Sequence, residues 1–414
     1  MEDMEKPGED SLWLWACLLC ILPLLLFLVL ILAGRNVSQA FDNSSTKEAL
    51  MSKVRVAVNG YGVIGKRVAD AVALQDDMEL VGVCDVSADY RLRIAEGMGL
   101  PIFAPGPEER SKLEEAGFAV AGLLPELLHS VDVMVDCTPK KIGARYAETY
   151  REHGVKFIFQ GGEKHALTDH SFVAEANYET ALCRPATRVV SCNTTATVRM
   201  LHALDARGLL ARARGVLLRR ATDPWESHLG GIMNTVVPET AVPSHQGPDA
   251  KKVLPHLDVV TMACVVPETL GHLHYWYIEL AREASRDEVL EAFRRQPRVA
   301  MVRAGEGLAA LNAIEELVND LGRPRNDLWE VALWEDILTV EGRELYFCNQ
   351  VDNQAIVIPE NIDAIRALSG AEASGAASIA KTDAALGVLK DFHQPYRSAA
   401  GRRPGPHAGP GEAS

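Results

Sequence analysis

The run Val54-Arg55-Val56-Ala57-Val58-Asn59 passes straight into Gly60-Tyr61-Gly62-Val63-Ile64-Gly65, and a helical stretch from Lys66 to Leu74 follows. Strand, GxGxxG and helix in that order allow a tight turn and a close approach of backbone to a pyrophosphate, whose charge is met by amides at the helix start. A second β-rich run, Glu79-Leu80-Val81-Gly82-Val83, leads to Asp85, 20 residues past Gly65. An acid at that distance is placed to hydrogen-bond an adenosine ribose. These residues predict a Rossmann-type dinucleotide-binding domain; a glycine-rich turn beside a solvated acid is the plainer alternative. Gly60, Gly62, Gly65 and Asp85 are the candidate cofactor contacts.

Moving outward, Val131 to Asp136 and Lys156 to Phe159 read as later strands of the same parallel sheet, with a crossover helix from Ile142 to His153 between them. Each ends in turn residues, Cys137-Thr138-Pro139 and Gln160-Gly161-Gly162. Ligands lie outside the carboxyl ends of strands in open α/β sheets, so both turns should line the crevice. Chemistry should begin at Arg188-Val189-Val190-Ser191-Cys192-Asn193-Thr194-Thr195, read as a strand breaking into a polar turn before a helix from about Ala196 to Arg207. Amides and the helix dipole there favour a thiolate, which lowers the thiol pKa and makes Cys192 a nucleophile. A buried structural cysteine is the alternative. The upstream dinucleotide fold tilts the balance, since nicotinamide and thiolate together oxidise aldehydes.

The chain has 414 residues, 48% apolar and 24% charged, with a net charge of −14. That composition is globular, and the negative balance argues against a nucleic-acid partner. Eight scattered cysteines with a single CxxC, Cys17 to Cys20, exclude a disulfide scaffold and a zinc ribbon. No spacing points to a metal. Leu12 to Ala33 is a separate problem: 22 uncharged residues suffice for a transmembrane helix, with Trp13 and Trp15 as interfacial anchors. A cleaved signal peptide ending at Ser38-Gln39-Ala40 is the rival, although the acidic start and long apolar stretch disfavour it. Lys6 precedes the span while Arg35, Lys47 and Lys53 follow, which puts the body in the cytoplasm. The sequons at Asn36 and Asn43 then read as chance matches in a polar linker.

Asn59 to Arg67, Gln160-Gly161-Gly162-Glu163-Lys164-His165, Ser191 to Thr195, Leu321-Gly322-Arg323-Pro324-Arg325-Asn326-Asp327 and Pro359-Glu360-Asn361-Ile362-Asp363-Ala364-Ile365-Arg366 together resemble the archaeal-type, or type II, phosphorylating glyceraldehyde-3-phosphate dehydrogenases. The resemblance runs from about Val54 to Val388. It implies Cys192 as nucleophile and His272, ahead of His274, as general base. It implies substrate contacts at Ser191, Asn193, Thr222, Gln246 and Gly247, and cofactor contacts at Val63, Ile64, Gly162, Arg220 and Asn353. Of the paired Arg219 and Arg220, one should face substrate and the other make a structural ion pair. The chain departs from the family at Gln246, at Asp352-Asn353-Gln354, and at Asp85 and Ser87, where many relatives are basic. A carboxylate at Asp85 repels an adenosine phosphate, so NAD is expected ahead of NADP.

The expected architecture is α/β: an anchor and linker (1–50), a Rossmann domain (51–190), an α+β catalytic domain with a mixed or antiparallel sheet (191–352), returning helices (353–395) and a tail (396–414). The expected reaction is phosphorylating oxidation of glyceraldehyde 3-phosphate, with inorganic phosphate as second substrate, in a homo-oligomer such as the family's tetramers. A semialdehyde or acyl-phosphate reductase, or a catalytically idle membrane-bound scaffold, are the alternatives.

Overall fold

The computed structural model describes residues 53–222 and 236–392. From Val54 onward they belong to one unit. The proposed span, its linker and the tail after 396 lie outside the described residues; no helix among those described is long and apolar enough to cross a membrane.

Eight strands form the first sheet: β1 (Val54–Asn59), β2 (Met78–Cys84), β3 (Ile102–Ala104), β4 (Val120–Leu123), β5 (Val133–Asp136), β6 (Lys156–Phe159), β7 (Ser171–Phe172) and β8 (Ala186–Val189). Their order is β4-β3-β2-β1-β5-β6-β8-β7, and every pairing is parallel. The strand order reverses between β1 and β5, which opens a ligand crevice beyond their carboxyl ends. Both neighbours bury β1, so Val56, Ala57 and Val58 are fully enclosed, and the run reads as continuous rather than alternating apolar residues.

The second sheet is mixed. It comprises β9 (Leu210–Arg220), β10 (Val237–Pro238), β11 (Val259–Val266), β12 (Gly271–Leu280), β13 (Val299–Val302), β14 (Val331–Trp334), β15 (Thr339–Glu341) and β16 (Glu344–Asp352). The order is β10-β11-β9-β12-β16-β14-β13, with β15 paired to β16. Antiparallel β12 sits centrally between β9 and β16, which carries its middle residues into the core.

One helix, Ile358–Ser369, returns to the first sheet and is buried along nearly its whole length. Charged residues on its sides are therefore paired. Arg199 and Arg298, both fully buried, share Glu360, and Arg298 also meets Asp363 at 2.6 Å and Asp383 at 2.7 Å. Arg366 grips Asp77, the residue just before β2, at 2.7 Å. Removing one partner of such a buried set strands a charge and costs about 3–5 kcal/mol, so these ion pairs fix where the helix sits.

Candidate active site

Cys192 is the first residue of the helix Cys192–Asp205. The structure corrects the expected polar turn: the helix begins at the nucleophile rather than at Ala196. Ser191 is its N-cap and its hydroxyl accepts from the Thr194 amide, so Cys-Asn-Thr-Thr forms the first helical turn. β1 and β6 keep their expected limits, β2 and β5 shift by one or two residues, and the first helix, Val63–Ala73, begins three residues before the expected Lys66.

The Cys192 sulfur lies 3.2 Å from Nε2 of His272 on β12. On the other side of that ring, Nδ1 accepts the backbone N–H of Arg220, at the end of β9, at 3.0 Å. Beside the sulfur, Asn193 directs its Nδ2 at Sγ from 3.7 Å, and its Oδ1 is 2.7 Å from Nε2 of His274. Alternate residues of a strand share a face. His272 and His274, two apart on β12, thus meet consecutive residues of the helix start.

Burial dominates the protonation of this group. It pushes the Cys192 thiol up to about 11, against the pull of Arg220, the Asn193 amide and Arg219, with Asp352 adding to the rise. The lowered pKa expected from the helix start alone is not met, because a sulfur shut away from water pays more for its charge than one helix end returns. Burial, His274, Arg220 and Arg219 hold His272 well below the ordinary histidine range. His272 is therefore a neutral ring, and with Nδ1 accepting an amide its proton sits on Nε2, facing the sulfur.

Arg219 pairs with Glu239 at 3.1 Å, the structural role expected of one of the two arginines. Thr222 is half-buried where the described part of the segment after β9 ends. Gln246 opens the short helix Gln246–Ala250; it is fully buried, and both its amide atoms lack a hydrogen-bond partner among the described residues. Gly247 donates its amide to Thr261 Oγ1 at 3.0 Å, and a Cβ there would come within 3.1 Å of the same oxygen. Asp249 of that helix pairs with Arg188 of β8, whose Nη1 also donates to the Glu163 carbonyl at 3.1 Å. Buried Arg188 thus ties the Gln246 helix to the loop after β6.

The cofactor cradle is built as its motif requires. Gly60 has φ +89°, and a Cβ there would lie 2.9 Å from the Cys137 carbonyl carbon; a Cβ at Gly65 would fall 1.9 Å from the Gly60 oxygen. Gly62 caps the helix that Val63 and Ile64 begin. Asp85 accepts from the Tyr61 amide at 2.5 Å and from the amides of Val86 and Ser87 at 2.6 and 2.7 Å. The carboxylate is thereby fixed beside the glycine loop. Val63, Lys66, Arg91, Arg325 and Gln354 line a pocket next to it. Gly162 has only ordinary contact room, against Lys140, whereas a Cβ at Gly161 would sit 2.4 Å from the Ser191 amide nitrogen. Asn353 follows directly on Asp352, the last residue of β16. A dinucleotide fits this cradle: the loop excludes side chains, amides line the helix start, and an acid stands at the end of β2.

Sequence reasoning placed Gly161 only in a crevice-lining turn and weighed His274 only as a second base candidate. The first was visible only as one more glycine, and the second needed the register of β12 against the helix start. Residues 191–319 match the C-terminal domain of glyceraldehyde 3-phosphate dehydrogenase, and residues 54–161 match the N-terminal part of dihydrodipicolinate reductase. The chain is 44% identical over 338 residues to glyceraldehyde-3-phosphate dehydrogenase 2 of Methanosarcina barkeri, covering 82% of this chain and 99% of the relative. The chain belongs to the glyceraldehyde-3-phosphate dehydrogenase family. The corresponding enzyme of Methanobrevibacter smithii is 45% identical over 336 residues, covering 81% of this chain and 99% of that one. Cys192 and His272 both fall in the region matched to the C-terminal domain, and the glycine loop falls in the region matched to the reductase N-terminus.

Proposed function

We propose that the chain oxidises glyceraldehyde 3-phosphate with inorganic phosphate through a thioester on Cys192. The observation that carries this is the 3.2 Å contact of Cys192 Sγ with a neutral His272, in a chain that also builds a glycine-loop dinucleotide cradle. The thiol gives its proton to solvent water, and the thiolate left behind receives the Nε2–H of His272 and the Nδ2–H of Asn193. The sulfur forms a bond to the aldehyde carbon, and the carbonyl electrons move to oxygen as an alkoxide, which the same donors stabilise. A nicotinamide dinucleotide would be held at Gly60, Gly62, Val63, Ile64, Gly65, Asp85, Gly162, Arg220 and Asn353, and would accept the hydride that the carbon loses as the alkoxide electrons re-form the carbonyl and give the thioester. A phosphate oxygen then attacks the thioester carbon, the C–S bond breaks, and Cys192 leaves as thiolate. The guanidinium of Arg220 and the buried amide of Gln246 suit phosphate groups, with Ser191, Thr222 and Gly247 beside them.

Cofactor reduction by purified residues 51–414 tests the reading. Turnover should require both the aldehyde and phosphate, and Cys192→Ser should abolish it while dinucleotide binding persists. Turnover carried by Cys137, or independent of phosphate, overturns it. We propose NAD as the preferred cofactor, supported by Asp85; Lys66 and Arg91 in the neighbouring pocket favour a second reading, in which NADP is also accepted.

We further propose that residues 12–33 anchor the chain in a membrane with its body in the cytoplasm, on the strength of their 22 uncharged residues and the basic bias that follows. Self-association is proposed through the open face of the second sheet. There Met262, Val216 and Tyr275 stand in one row across β11, β9 and β12, each more than a third exposed. Apolar rows of this kind are covered in stable homo-oligomers, and a second copy offers the same row.

A further inference from the structure

We propose that His274 is a positioning residue for the reaction: it sets the orientation of the Asn193 amide, and through it the hydrogen bonding of the Cys192 sulfur. The inference rests on Cys192 as nucleophile. His274 is fully buried and Nε2 lies 2.7 Å from Asn193 Oδ1. A carbonyl oxygen only accepts, so the proton of the neutral ring is on Nε2. Burial holds that ring neutral, with its pKa lowered to about 3. With Oδ1 engaged, the Asn193 amide has one orientation, Nδ2 toward Sγ. The flipped amide would put its oxygen against the thiolate and its N–H groups against the N–H of His274, which is unfavourable at both ends.

The back of the ring is equally specified. Nδ1 of His274 has no hydrogen-bond partner among the described residues, and neither has either amide atom of Asn349. Asn349 is fully buried and is the direct cross-strand partner of His274 in the β12–β16 pairing, on the same face. Two buried orphans on facing residues have the chemistry to hold an internal water or to bond directly, and either arrangement gives Nδ1 a donor. That donor locks the proton onto Nε2. The set Asn349, His274, Asn193 and Cys192 is then a single line in which each group fixes the next. His272 reaches the same sulfur by a second route, so the sulfur is held between two donors whose orientations are set independently.

Iodoacetamide alkylation of Cys192 as a function of pH reads this line without cofactor or substrate. His274→Phe removes the donor and should slow alkylation at pH 7.5 by about 5–10-fold, as the thiolate loses one hydrogen bond. His274→Gln keeps an N–H at the Nε2 position and should recover to within about threefold of wild type. Asn193→Ala should slow alkylation like His274→Phe, and the double variant should be no slower than Asn193→Ala alone, because His274 acts only through Asn193. In turnover, kcat should fall in His274→Phe with KM for the aldehyde unchanged. Should His274→Phe fail to fold, His274→Asn, too short to reach Asn193, replaces it with the same expectation. Wild-type alkylation in these variants, or a double variant slowed by the product of the single effects, overturns the proposal. An enzyme that turns over no aldehyde while the alkylation series behaves as stated removes the proposed reaction and leaves this inference standing.

Discussion

The backbone N–H of Arg220 donates to Nδ1 of His272 at 3.0 Å, and this one bond decides which ring nitrogen carries the proton beside the nucleophile. A neutral ring that accepts at Nδ1 presents Nε2–H to the sulfur. A base role at Nε2 needs the other tautomer and forfeits the Arg220 bond. Because the thiol is pushed up by burial and the histidine down, the rate should climb with pH and show no neutral histidine limb. We expect kcat/KM to rise steadily between pH 6 and 9. His272→Gln, which retains a donor, should lose about tenfold, and His272→Ala about 10²–10³-fold. Equal losses in the two variants, read from steady-state kinetics, would point to the base instead.

Asp85 is held by three backbone amides, so its charge is fixed beside the glycine loop rather than free to swing away. Asp85→Lys together with Ser87→Arg should raise kcat/KM with NADP and lower it with NAD. The comparison is the ratio of the two efficiencies in wild type and double variant. A wild type that favours NADP, or a ratio that does not move, defeats the NAD preference.

Glu315 is buried near Asp352 and Asp327, with Gln350 Nε2 donating to it at 3.1 Å. Burial first, then those two acids, raises its carboxyl far above the ordinary range. A raised acid stabilises the fold fully below its unfolded pKa of about 4.3, and that contribution is lost as pH climbs toward the folded value. Stability should therefore decline from about pH 5 to pH 8. Glu315→Gln, which needs no proton to stay neutral, should flatten the decline and raise stability at pH 8 by about 1 kcal/mol or more, as read by urea denaturation at both pH values. A wild type as stable at pH 8 as at pH 5 would remove this account.

The full chain expressed in cells should sediment with membranes and resist carbonate extraction, whereas residues 51–414 should be soluble and active. Recovery of the uncleaved full chain wholly in the soluble fraction would count against the anchor.

Local chemistry made much of the first sheet legible. β1 ends at Asn59 as its sequence indicates, because the glycine loop stops it, and β6 keeps its expected limits between Val155 and Gln160. The start of the catalytic helix was not legible, since Cys-Asn-Thr-Thr has the composition of a turn and becomes helical only through the Ser191 cap. Nor did spacing separate the two histidines of β12. Both lie on one face, and what distinguishes them is which residue of the facing helix each one meets. The thiol's upward shift was hidden for a similar reason: the helix start is written in the sequence, but the depth of burial around it comes from distant segments.

The absence of a side chain at Gly161 lets the loop after β6 press onto the Ser191 amide, with no room for even a methyl group. The loop that carries Gly162 and the start of the catalytic helix are thereby welded at one residue. Substituting Gly161 by alanine would wedge the two apart, so this position acts as a gauge block that sets the spacing between oxidant and nucleophile when the chain folds, before any ligand arrives.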